Sequence, residues 1–76
     1  MKAANRIVLK YGLKNLPDKA QLDKFSATVK IYIRQGKEAE EAGYLAARDV
    51  FPDYRSMFYK SEADTLEMLL RLIESE

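Results

Sequence analysis

The chain has 76 residues, with 13 Lys and Arg against 12 Asp and Glu for a net charge of +1, and it contains neither Cys nor His. Those absences exclude disulfides, thiolate and imidazole metal ligands, Ser-His and Cys-His nucleophile pairs, and the side chain that most readily titrates near neutrality. A hydrophobic content of 47% belongs to a folded chain, and the length predicts one small domain over residues 1–76 that buries only about 60% of its unfolded surface.

The first segment ends at Gly12, followed by apolar Leu13, as a helix does when it closes on a left-handed glycine with a hydrophobic contact. Wound as a helix, it gathers Ala3, Ala4, Ile7, Val8 and Tyr11 on one face and Lys2, Arg6 and Lys10 on another. Read as a strand, RIVLKYGL alternates Ile7, Leu9, Tyr11 and Leu13 with mostly basic residues, but Val8 falls on the polar side and a lone strand has nothing to pair with. Helix is the favoured reading and an N-terminal strand the alternative. That strand followed by two helices resembles a ribbon-helix-helix repressor in outline. It departs from that pattern in the length of the next helix and in having a fourth, and it identifies no family.

KNLPD is a turn, in which Asp18 and Gln21 have capping-box spacing. The second segment runs from Lys19 to Gln35 and stops at Gly36, with Leu22, Phe25, Val29, Tyr32 and Ile33 in one arc of about 100°. The third, KEAEEAGYLAARDVF, ends at Phe51 before Pro52 and presents Ala39, Ala42, Gly43, Ala46 and Ala47, small residues that let helix backbones approach closely. Ser61, with Asp64 three residues on, is the expected cap of a fourth helix over 62–73, whose core face includes Leu66, Leu69, Leu70 and Ile73. The predicted fold is all-α, a compact bundle of about four short helices. Between the last two lies FPDYRSMFYKSEAD, which holds four of the eight aromatic residues. Phe58 is expected inside as a lid on the core, and Tyr54 and Arg55 outside.

Apolar runs are short, and Arg6 and Lys10 interrupt the N-terminal one, so neither a membrane span nor a signal peptide is expected. The expected setting is the cytoplasm.

Charge is unevenly distributed. Residues 1–37 carry nine Lys and Arg against Asp18 and Asp23, or +7, while residues 38–76 carry four against ten acids, or −6. Lys2, Arg6 and Lys10 form one basic ridge, and Lys19, Lys30, Arg34 and Lys37 fall within one arc on another, so both could contact a phosphate backbone. The plainer account is a solvated surface, or pairing with the acidic half. A helix-turn-helix would read DNA with its third helix, and here that helix carries Glu38, Glu40, Glu41 and Asp49, a surface that phosphate repels.

Catalysis finds little support. Asp49 with Asp53, or Glu38 with Glu41, could lie close together, but paired carboxylates need a cleft that shifts their pKa values. Acids at the start of a helix are already explained by the macrodipole. There is no Gly-rich phosphate loop and no Ca²⁺-loop pattern, so no cofactor or metal site is inferred. Leu9, Ile31 and Leu45 sit on otherwise polar faces, with Met68 at the edge of its stripe. Together with Tyr54 and Arg55, the first three are the candidate interface of a non-enzymatic interaction module that self-associates as a homodimer or docks on a protein partner. Nucleic-acid binding through Lys2, Arg6, Lys10, Lys30, Arg34 and Lys37 is the alternative.

Overall fold

The computed structural model describes residues 2–54 and 65–75, with the side chain of Lys2 excluded. Among them are four helices and no strand: α1 (Lys2–Tyr11), α2 (Lys19–Arg34), α3 (Ala39–Val50) and α4 (Leu66–Ser75). The strand alternative for the first segment is therefore overturned. Ala3, Ala4, Ile7 and Tyr11 are buried together on one helical face with Val8 half-buried beside them, an arrangement that a two-residue period cannot produce. Gly12 has φ +66° and the Leu13 N–H donates to the Val8 carbonyl at 3.1 Å, which brings Leu13 down onto the core.

At the start of α2 the Gln21 N–H donates to Asp18 Oδ1 at 2.8 Å, and the Asp18 N–H donates to Gln21 Oε1 at 3.1 Å. The capping box is thus formed as expected. Leu22, Phe25 and Val29 are fully buried, each contributing about 1.5–3 kcal/mol by leaving water. The helix ends at Arg34, and the Lys37 N–H returns to the Tyr32 carbonyl at 3.1 Å across Gly36. Ile33 does not join the core as its arc predicts. It is 43% exposed, whereas Tyr32 beside it in the same turn is half-buried against the core.

Small residues do bring α3 close: Ala42, Gly43, Ala46 and Ala47 are buried, and α3 makes its most extensive packing against α2. A Cβ on Gly43 would stand 2.5 Å from the Tyr11 hydroxyl and 2.8 Å from Leu66 Cδ1, so α1 and α4 can converge there only on a glycine. Phe51 ends α3 and stacks on Phe25 with ring centroids 5.5 Å apart.

The fourth helix starts later than expected. Thr65 lies outside it and caps it, its Oγ1 accepting from the Met68 N–H at 3.4 Å and its carbonyl from the Leu69 N–H at 3.1 Å. Helix therefore does not run unbroken from 62, and it continues to Ser75 rather than stopping at Ile73. Leu66, Leu69 and Ile73 are buried, but Leu70, at the margin of their arc, is half-buried instead of buried. Phe58, the expected lid, Arg55, expected outside, and Ser61, the expected cap, lie outside the described residues. The radius of gyration, 10.9 Å, matches the value of about 11 Å for a compact chain of this length. Among the described residues no helix is long and apolar enough to cross a membrane.

Candidate interaction surface

The core stripe of α2 points inward, so the opposite side of the helix is left to solvent. Asp23, Lys24, Ala27, Lys30, Ile31 and Arg34 are all exposed. Ile31 is 50% exposed, a large apolar side chain on a face otherwise made of charge and alanine. Along the side nearer α4 this face becomes one wall of an open groove of about 470 Å³. Ala27, Ile31 and Ile73 supply its apolar surface, and Lys30, Arg34 and Glu74 its charged rim. Lys30 Nζ donates to Glu74 Oε1 at 3.0 Å, tying the end of α4 to α2.

The remaining candidate interface residues do not gather at this groove. Leu9 is 68% exposed on the outer side of α1, whereas Leu45 is half-buried on α3. Tyr54 is not free in solvent as expected. It is half-buried, its ring edge-on to Tyr11 at 6.2 Å and to Tyr44 at 6.1 Å. Burial, followed by the influence of Tyr44, pushes its phenol above the ordinary value. Arg55 lies outside the described residues. A second groove of about 260 Å³, between the α1–α2 turn and Phe51–Asp53, has exposed Leu16 at its edge.

The basic ridges are also divided. Lys10 Nζ donates to Glu40 Oε1 at 2.7 Å, and only 8% of its side chain is exposed. Lys10 therefore turns into the junction of α1, α3 and α4 rather than outward. Of the other candidates, Arg6, Arg34 and Lys37 are exposed, Lys30 is engaged with Glu74, and the Lys2 side chain is not described. Opposite charge in the two halves is thus partly consumed inside the fold.

Of the acids paired above, Asp49 and Asp53 join elements, and so does Glu40, which belongs to neither pair. Glu40 Oε2 accepts from the Leu66 N–H at 2.8 Å, so this one side chain pairs a cation of α1 and caps α4. Burial works to raise its pKa, but the Lys10 ammonium and the Leu66 N–H outweigh that and hold it below the ordinary value. Asp53 Oδ2 accepts from the N–H groups of Lys14 (2.8 Å) and Asn15 (3.0 Å), which pins the α1–α2 turn to the end of α3. Burial pushes its pKa up, but the backbone donors together outweigh that and hold it below the ordinary value. Tyr32 donates its hydroxyl to Asp49, and that bond raises the Tyr32 pKa. Tyr11, buried against Gly43, has its pKa raised first by burial and then by Glu40 and Tyr54, and its hydroxyl has no hydrogen-bond partner among the described residues.

Neither Glu40 nor Asp53 was legible as a fastener, since each bond spans 26 to 39 residues. Among the described residues no three Asp or Glu converge as a metal-binding group. Comparisons with family models, curated proteins and solved structures find no match for the chain.

Proposed function

We propose that this protein is a non-enzymatic helical interaction module that works by self-association, with the outer side of α2 as its principal contact. The observation that carries the reading is Ile31, half exposed beside an apolar groove whose rim bears charge of both signs. A patch of this composition suits protein contact, in which an apolar centre supplies affinity and charged edges supply orientation. Small helical chains also gain stability from association that their own cores supply only in part. The cytoplasm is the proposed setting, since the chain has no Cys with which to exploit an oxidising compartment.

Nucleic-acid binding by the basic half is the second reading, favoured by exposed Arg6, Arg34 and Lys37. The engagement of Lys10 and Lys30 with carboxylates weighs against it. Molar mass by light scattering, measured across protein concentration at low and high salt, with and without duplex DNA, separates the two. Self-association predicts a mass that doubles with concentration and without DNA. A monomer that gains mass only with DNA, and loses it in salt, would reverse the order of the readings.

A further inference from the structure

We propose that the outer face of α2 pairs with the same face of a second copy, antiparallel, about a two-fold axis level with Val29; the proposal rests on the self-association reading and specifies its geometry. Asp23, Ala27, Ile31 and Arg34 follow one another at spacings of four, four and three residues, which places them in a single stripe along the exposed side of the helix. A two-fold interface uses one patch twice, so the patch must be complementary to itself.

This stripe meets that condition in one direction only. With the helices antiparallel and Ile31 of each copy level with the partner's Ala27, a large side chain lies over a small one, twice. In the same register Asp23 comes within one residue of the partner's Arg34. A two-fold axis perpendicular to the helices keeps each flank of the stripe against the same flank of its mate. Asp23 and Arg34 both lie on the flank that borders the α4 groove, so acid meets cation at both ends of the contact. A parallel pairing would instead set Asp23 against Asp23 and Arg34 against Arg34.

Lys30 is the residue that would oppose this arrangement, since it stands on the same flank, one residue from the axis, and would face its own copy. Glu74 holds its ammonium at 3.0 Å and supplies the compensating charge. The ion pair between α2 and α4 therefore has a second consequence, making the centre of the stripe electrically tolerable to a second copy. Lys24 lies on the far flank of the stripe from Arg34, which limits its repulsion of the partner's Arg34.

The test begins with molar mass against concentration for the wild-type chain and three variants. Ile31→Lys is expected to abolish association while leaving the melting temperature of the monomer nearly unchanged, because the position is half in solvent. Asp23→Arg is expected to weaken association about tenfold or more, and the double variant Asp23→Arg/Arg34→Asp to recover it to within about threefold of wild type. Direction is read by cross-linking, which a chain without Cys makes clean. Ala27→Cys and Ile31→Cys proteins, mixed and oxidised, should form the mixed disulfide in preference to either homodisulfide. A dimer that survives Ile31→Lys, or that prefers the homodisulfides, or a double variant that recovers nothing, overturns the antiparallel α2 pairing and leaves self-association standing. A wild-type chain that stays monomeric at every concentration overturns both.

Discussion

Along the inward face of α2, Leu22, Phe25 and Val29 are fully buried, whereas Ile33, four residues past Val29 on the same face, is 43% exposed. The first three lie under α3, Tyr11 and Phe51, with the Tyr11 ring centroid 5.7 Å and the Phe51 ring centroid 5.5 Å from that of Phe25. Ile33 lies beyond that cover, next to the Gly36 reversal. The difference falls within a single turn, since Tyr32 beside Ile33 still packs on the core and donates to Asp49. Periodicity states which way a side chain points, but burial also needs another element at that height, and a single helical arc carries no information about where its neighbours stop.

The largest effect is expected in the covered half. Phe25→Ala should cost about 3–5 kcal/mol, since it removes a buried ring and leaves a cavity between two aromatic neighbours. Denaturant unfolding monitored by circular dichroism measures it, and a loss under 1 kcal/mol would mean that the covered half is no better packed than the exposed end. Next comes the glycine that lets Tyr11 reach Phe25. Gly43→Ala should cost about 1–3 kcal/mol by pushing its methyl against the Tyr11 hydroxyl and Leu66. In a Tyr11→Phe background the same change should cost less, because the atom nearest the new Cβ is gone. Equal costs in the two backgrounds would show that Leu66, not Tyr11, limits the approach.

How much of this was readable depended on the range of the interaction. The capping box of Asp18 and Gln21, the reversals at Gly12 and Gly36, and the apolar faces of α1 and α2 are made within a turn or two of chain, and each is visible as spacing. The start of α4 is not legible in this way, because Ser61 with Asp64 has the spacing of a cap but the helix begins only at Leu66. Thr65 is the residue that precedes the helix, while the distant Glu40 takes the Leu66 N–H. At the candidate surface, Ile31 stood out as an apolar residue on a polar face. The groove beside it did not, because it depends on Ile73 and Glu74 arriving from α4. Lys10 looked like part of a basic ridge until the fold brought Glu40 to it, thirty residues away.

Acid should loosen the fastened parts. Glu40 and Asp53 have folded-state pKa values below their ordinary values of 4.5 and 3.8. Their contribution is therefore complete above those values and lost as pH falls through the lower folded ones. Stability should decline on acidification below about pH 4.5, and Glu40→Gln should flatten that decline at a cost near neutrality of about 1 kcal/mol, allowing for solvent screening of a pair with one exposed partner. Urea midpoints between pH 7 and pH 3 report both. A Glu40→Gln protein with an unchanged acid slope would assign the loss to other carboxylates. Asp18→Ala should cost a similar amount, about 1 kcal/mol, by leaving the first turn of α2 uncapped. That cost tests whether the covered half is also secured at its end.

The smallest effect is expected at Ile33, and it bears most directly on the contrast within α2. Ile33→Ser replaces an apolar side chain on the core face of a helix, a change that periodicity alone would rank beside Val29→Ser. Because Ile33 itself stands 43% exposed, stability should change by no more than about 0.5 kcal/mol. The same variant also probes the association surface, since Ile33 lies on the opposite side of α2 from Ala27 and Ile31. If the second copy docks on the outer stripe, Ile33→Ser should leave molar mass unchanged while Ile31→Lys removes the dimer. Melting and light scattering on one preparation give both readings. A loss above 1 kcal/mol that grows with protein concentration would show that Ile33 is covered by a second copy. The interface would then lie on the inward side of the last turn, as a continuation of the core face past Val29.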